Sequence, residues 1–372
     1  MRLTTVKAIK ATGAVLLAGV MGTLGACAAS AETGAASTAN APHRAAAMPH
    51  YYVTVNAQGP DDTSVWVRNS ATGAVVAGTH VPGGPLGVSV TAAADDRTFV
   101  VGTTPSGDAL RAPYTLWRIH LSAAGVPSRP QRLTSIAIPL GVGPGKRTTV
   151  VGIALSPDGS KVAVSLERFA LSVDTFNPSG ILEVIDLASG KVRSWTSPAI
   201  GTWAGQPSWA GPSTVAFAWW RVTFSVFPRV AQHIAGIGSV NIGSGGALPG
   251  RLAPVPQAVG LRSVAFGGGA TGLAIACVNE PVGGGGRGVV MARFGQIGVT
   301  TGQFRILSTQ TASYRDTGTA SALLARCGSV VSVDTSGQHA LVYGTGFGRL
   351  DAAKFTALAG LSAAGAGSGA AW

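Results

Sequence analysis

The densest collection of side chains able to do chemistry lies between positions 203 and 229 of the 372-residue chain. There Trp203, Trp209, Phe217, Trp219, Trp220, Phe224 and Phe227 are interleaved with Arg221 and Arg229. Indole faces beside guanidinium groups suit stacking on a sugar ring or a peptide, with a cation as polar partner. Trp209, Trp219, Trp220 and Arg221 are therefore the candidate ligand-binding residues. If the segment is extended, neighbouring side chains point to opposite faces, so Trp219 and Trp220 cannot share one and some rings must pack inside.

Other reaction types find less to work with. No G-x-S-x-G elbow occurs, and Gly365-Ala-Gly-Ser-Gly369 has the wrong spacing for one. Gly141-Val-Gly-Pro-Gly145-Lys146-Arg147 falls one residue short of a phosphate loop and has Arg where a hydroxyl would hold magnesium. Histidines at 43, 50, 80, 120, 233 and 339 show no paired ligand spacing. No catalytic residue and no cofactor is assigned. Cys277 and Cys327 both sit in apolar runs; they could bridge, or remain two separate buried thiols.

The elements that must position these residues are short strands. Ser156-Pro157-Asp158-Gly159 separates two apolar runs, with Pro presetting φ and Gly accepting a left-handed turn. Ala188-Ser189-Gly190 repeats the device between 181–187 and 191–196, so about forty-five residues make one four-stranded antiparallel sheet. Blurred copies run from Tyr51 to Leu358. Taking the first-hairpin reversals at Asp61, Asp95, Asp158, Gly211, Gly268 and Ser336 gives gaps of 34, 63, 53, 57 and 68 residues, which predicts about six units with loops of unequal length. Composition agrees: 46% hydrophobic, 11% charged and 53 Gly favour strands and turns over amphipathic helices.

The runs Ser156-Pro-Asp-Gly-Ser-Lys-Val-Ala-Val164 and Leu182-Glu-Val-Ile-Asp-Leu-Ala-Ser-Gly-Lys191 resemble the blade signature of bacterial β-propellers of the WD-repeat, YVTN and Tol types. That resemblance implies an all-β propeller over residues 50–358, with six or seven four-stranded blades, while the Ala, Gly and Ser composition of 359–372 predicts a disordered tail. It carries no activity with it, because propellers host binding modules and unrelated enzymes alike. Six-bladed lactonases of this architecture hold a divalent ion with carboxylate and amide oxygens. Asn279 and Glu280 are the weak candidates for such a metal site here, and no metal is assigned.

The first 26 residues read as an export signal: Arg2, Lys7 and Lys10, a short apolar stretch, then Leu24-Gly25-Ala26-Cys27. The last four resemble the lipobox of bacterial lipoproteins, which implies lipidation of Cys27. Residues 27–49 form an Ala/Ser/Thr tether whose mean span is on the order of 25 Å. Net charge is +12 for the chain; removing the three basic residues of the signal leaves +9, spread as single arginines with no basic run among aromatics, which argues against nucleic acid. The expectation is a monomeric binding or scaffold protein outside the cytoplasm, secreted or anchored to the outer face of the membrane by its N-terminal lipid alone. Its partner would be an envelope glycan, protein or peptide. The competing expectation is a metal-dependent hydrolase or lyase at the central channel.

Overall fold

Turn chemistry decides where the strands begin and end. At the clearest reversal, Asp158 accepts hydrogen bonds from Ser156 Oγ at 2.5 Å, the Ser160 amide at 3.1 Å and Ser160 Oγ at 2.8 Å. Gly159 takes φ 70°, and Ser156 Oγ accepts the Lys161 amide at 2.8 Å, closing the turn. These bonds, led by that from Ser156, hold the Asp158 carboxyl down at about 2. Asp95 accepts the Arg97 and Thr98 amides, and Asp334 those of Gln338 and His339, in the same role. On the outer hairpins Asn69, Asp186 and Asn241 cap their turns likewise.

A computed structural model describes residues 47–57, 62–104, 113–137, 146–170, 178–226, 229–281, 287–315, 330–334, 338–343, 348–351, 354–358 and 369–372. Residues 45–372 form one compact unit, and the described strands group into five sheets, one of which joins two blades. Blade 1 contains β1 (Tyr51–Ala57), β2 (Asp62–Asn69) and β3 (Val75–Pro82). Blade 2 is β4 (Gly84–Ala92), β5 (Thr98–Thr104), β6 (Tyr114–His120) and β7 (Gln131–Ile136). Blade 3 is β8 (Lys146–Leu155), β9 (Lys161–Ala170), β10 (Ser179–Asp186) and β11 (Val192–Thr196). Blade 4 is β12 (Thr202–Gly211), β13 (Thr214–Val226), β14 (Arg229–Asn241), a two-residue strap β15 (Gly246–Ala247) and β16 (Arg251–Pro254). The strap reaches back to pair with β11, joining blades 3 and 4. Blade 5 is β17 (Leu261–Phe266), β18 (Thr271–Pro281), β19 (Arg287–Gly298) and β20 (Phe304–Arg315). Blade 6 is β21 (Val330–Val333), β22 (His339–Tyr343), β23 (Gly348–Asp351) and β24 (Lys354–Ala357).

The last strand, β25 (Gly369–Ala371), does not extend blade 6. It pairs antiparallel with β1, Val53 opposite Ala371, and supplies the inner strand that blade 1 lacks. Two expectations are corrected by it. The end of the supposed disordered tail is a buried strand capped by Trp372, at 2% exposure, while residues 359–368 lie outside the described residues. In addition, β1 is the second strand of its blade, so the reversal near Asp61 was matched to the wrong turn. The equivalent of the outer hairpin turn is Asn69–Gly73.

Six apolar cores lie between successive blades and close the circle. Val53 and Val55 meet Phe99 and Val101; Leu116 and Ile136 meet Ile153 and Val164; Leu182 and Trp195 meet Trp209 and Phe217. Ile234 and Ile237 meet Val264 and Phe266; Leu273 and Phe294 meet Ala340 and Val342. Leu341 of blade 6 then meets Tyr52 and Trp372 of blade 1. Each sheet hides both faces against its neighbours, which is why the strands read as apolar runs. The described strands form an all-β propeller of six four-stranded antiparallel blades.

All inner strands run the same way, giving the ring two unlike sides. On the turn side lie the tight reversals just described, together with His50, where the chain enters β1. On the loop side the second strands end and the third begin.

Candidate functional site

Where the inner strands end, on the turn side, all six blades contribute to an axial cavity of about 70 Å³. Its wall is mostly small or apolar: Val90 to Ala93, Ile153 to Leu155, Pro207, Ala265, Gly267 and Trp372. Thr91, Gln206, Ser208, Ser332 and Asp334 are its polar members. Ser208 Oγ accepts the Phe266 amide at 3.0 Å, and Thr91 Oγ1 accepts the Leu155 amide at 2.9 Å, so hydroxyls on the wall tie inner strands of adjacent blades together.

Asp334 is buried and faces its own blade. One carboxylate oxygen lies 2.8 Å from His339 Nδ1, and the other accepts two backbone amides. Asp96, in the neighbouring turn of blade 2, is held in the left-handed region at φ 53°. Burial, then Asp334 and Asp95, raise its carboxyl to about 6, against the pull of His339 and His50. In the sequence Asp95 marks only a reversal, and Asp96 and Asp334 carry no signal beyond the turns they flank. Their convergence was hidden because blades 2 and 6 become near neighbours only after β25 closes the ring. Among the described residues, no three His, Cys, Asp or Glu side chains are grouped so as to hold a metal ion.

The tryptophans separate sharply by environment. Trp209 is buried, and its Nε1 donates to the Ala154 carbonyl of blade 3 at 3.1 Å. Trp219 is equally buried and tilts against Phe217 at 6.2 Å between centroids. Both are packing residues, a correction to the candidate ligand platform: their rings drive the contact between blades 3 and 4 and leave no face for a ligand. Trp220 points the other way, toward blade 5, as a bulge between Trp219 and Trp220 and strand alternation require. It is half-buried and stacked on Trp203 at 5.8 Å and 10°. Arg221 next to it is exposed and lies opposite His233, whose pKa is lowered by burial and then by Arg221. Trp220 and Arg221 thus share the loop side of blade 4, where β12 begins.

Asn279 and Glu280 lie on β18, three and four residues beyond Ala276, the last position paired with the inner strand β17. The channel wall is not theirs, and their side chains fall outside the described residues. Cys277 is buried on the same strand and disulfide-bonded, while Cys327 and Cys27 lie outside the described residues. Bulges interrupt the pairing of β4, β8, β12 and β17 near the loop side; that in β17 leaves Arg262 unpaired and exposed.

No family model and no curated protein sequence matches the chain. Among solved structures it is similar to hydrazine synthase of Kuenenia stuttgartiensis, at 14% identity over 84% of this chain and 79% of that one, with a TM-score of 0.42. It is also similar to the periplasmic gluconolactonase of Pseudomonas aeruginosa, at 13% identity, 82% and 81% coverage and a TM-score of 0.40. A third likeness is the β-propeller domain of the Trilobed protease of Pyrococcus furiosus, at 9% identity, 84% and 92% coverage and a TM-score of 0.39. These likenesses bring no activity to this chain.

Proposed function

We propose that this protein is a non-catalytic binding module of the cell envelope, exported and held at the outer face of the membrane by a lipid on Cys27. The observation that carries the reading is the axial cavity, about 70 Å³ of mostly small and apolar wall, whose one carboxylate, Asp334, is already engaged by its own histidine and turn. Such a wall suits packing rather than polarising a substrate, because activating water or stabilising an oxyanion needs converging donors or a cation. Leu24-Gly25-Ala26-Cys27 supports the anchor. A Cys27→Ser chain is expected to lose incorporation of labelled fatty acid and to leave the detergent phase on phase separation. Unchanged partitioning would remove the lipid.

A second reading, a hydrolase or lyase working at the channel mouth, draws on the meeting of Asp96, Asp334 and His339 there. His339→Ala would abolish such turnover and would leave a pure binder's affinity for its ligand unaltered.

A further inference from the structure

The turn side of the ring mixes carboxylates with basic residues such as Arg97, Lys161, Lys191 and Arg251. On the turn side stand Asp95, Asp96, Asp158, Asp186, Asp334 and Asp351, and Asp95, Asp158, Asp186 and Asp334 cap their reversals. The loop side of blades 3 to 5 carries guanidinium groups. Arg168, Arg221 and Arg262 are exposed there, and Arg293 is partly so.

The same region is built outward from the ring. Inner strand β12 pairs no further than Thr202 with Arg221, yet β13 and β14 continue pairing to Val226 and Arg229. In blade 5, β17 pairs no further than Leu261 with Ala276, while β18 and β19 run on to Pro281 and Gly288. The stacked Trp203 and Trp220 lie at the base of the first overhang. The strands of blade 3 carry Glu167, Glu183 and Asp186 and those of blades 4 and 5 only Glu280, and burial lifts the Glu167 carboxyl to about 7, which weakens its charge at neutral pH.

Resting on the binding reading above, we infer that the loop side of blades 3 to 5 docks an anionic glycan, a sugar ring against Trp220 and its acidic groups among Arg168, Arg221, Arg262 and Arg293. Charge complementarity selects a polyanion. The indole stack selects one with rings that present an apolar face. An anionic bilayer would need no such stack, and the chain enters the ring from the opposite side.

The test is fluorescence anisotropy with labelled polygalacturonate, using the mature chain with Cys27→Ser. Binding is expected to weaken at least about tenfold between low and near-physiological salt. Arg221→Gln with Arg262→Gln should weaken it about tenfold, whereas the turn-side pair Lys191→Gln with Arg251→Gln, removing equal charge, should stay within about twofold. Trp220→Ala should weaken polygalacturonate about fivefold and leave inorganic polyphosphate unaffected. The arginine pair decides the matter even if Trp220→Ala disturbs blade 4. Equal losses from both charge pairs, preferential binding to phosphatidylglycerol vesicles or polyphosphate, or no binding at all would overturn the assignment of this face. Cleavage of the glycan would instead overturn the binding reading itself.

Discussion

Removing the side chain of Trp372 tests how the ring is closed. The indole is 2% exposed and lies edge-on to Tyr52 at 6.1 Å, in the core that joins blade 6 to blade 1. Truncating so buried a tryptophan costs about 3–5 kcal/mol through lost burial and the cavity left behind. For a domain of this size each kcal/mol lowers Tm by roughly 2 °C, so Trp372→Ala should melt about 6–10 °C below the parent. Deleting residues 369–372 should do more, because it also removes the backbone pairs of Val53, Thr54 and Val55 with β25. Thermal unfolding followed by circular dichroism reads both, with Ile200→Ala, at a position 74% exposed, as the control expected within about 0.5 kcal/mol of the parent. A Tm for Trp372→Ala within about 1 °C of the parent would refute closure through blade 1.

Further outcomes follow from charge, turns and sulfur. Glu167 has its carboxyl raised by burial from 4.5 to about 7, so folding favours its protonated form and stability is lost as pH rises between those values. Glu167→Gln should therefore stabilise the protein by about 2 kcal/mol at pH 8 and by almost nothing at pH 4, as measured by urea unfolding. Asp158 behaves in the opposite sense: its contribution is present above the ordinary carboxylate range and is lost as pH falls toward about 2. Asp158→Ala should cost about 1 kcal/mol at pH 7, with the deficit shrinking in acid. We further propose that Cys277 pairs with Cys327; in a Cys27→Ser background, thiol titration of denatured, unreduced protein should find no free thiol, and finding free thiols before reduction would reject the pair.

Much of the fold was legible because turn residues act locally. Asp158, Gly159 and Ser156 form their reversal from side chains within five positions, so the sequence alone marks it. The closing strand was hidden for the opposite reason. Gly369, Ala370 and Ala371 have no alternation to read, and their place is set by backbone pairing with a strand more than three hundred residues away. Missing that strand also put the first reversal out of phase.

The candidate site was legible in part. Alternation foretold that Trp219 and Trp220 would part company, but which one stayed accessible depended on bulges between Ala204 and Pro207 and after Trp219. Trp209 carries no signal separating a packing ring from a binding one until the Ala154 carbonyl of the next blade is placed beside it. The gathering of arginines arises because Arg168, Arg221, Arg262 and Arg293 fall near the loop-side ends of strands in three successive blades, and spacing along the chain does not express it.

The central claim, binding without chemistry, is tested most directly by holding the mature chain with polygalacturonate and with a sugar lactone, with and without EDTA, and following both the bound fraction and the products. Saturable retention of the glycan at its original length, with the lactone intact and EDTA without effect, is the predicted result. Shortening of the glycan or opening of the lactone, abolished by EDTA, would contradict it.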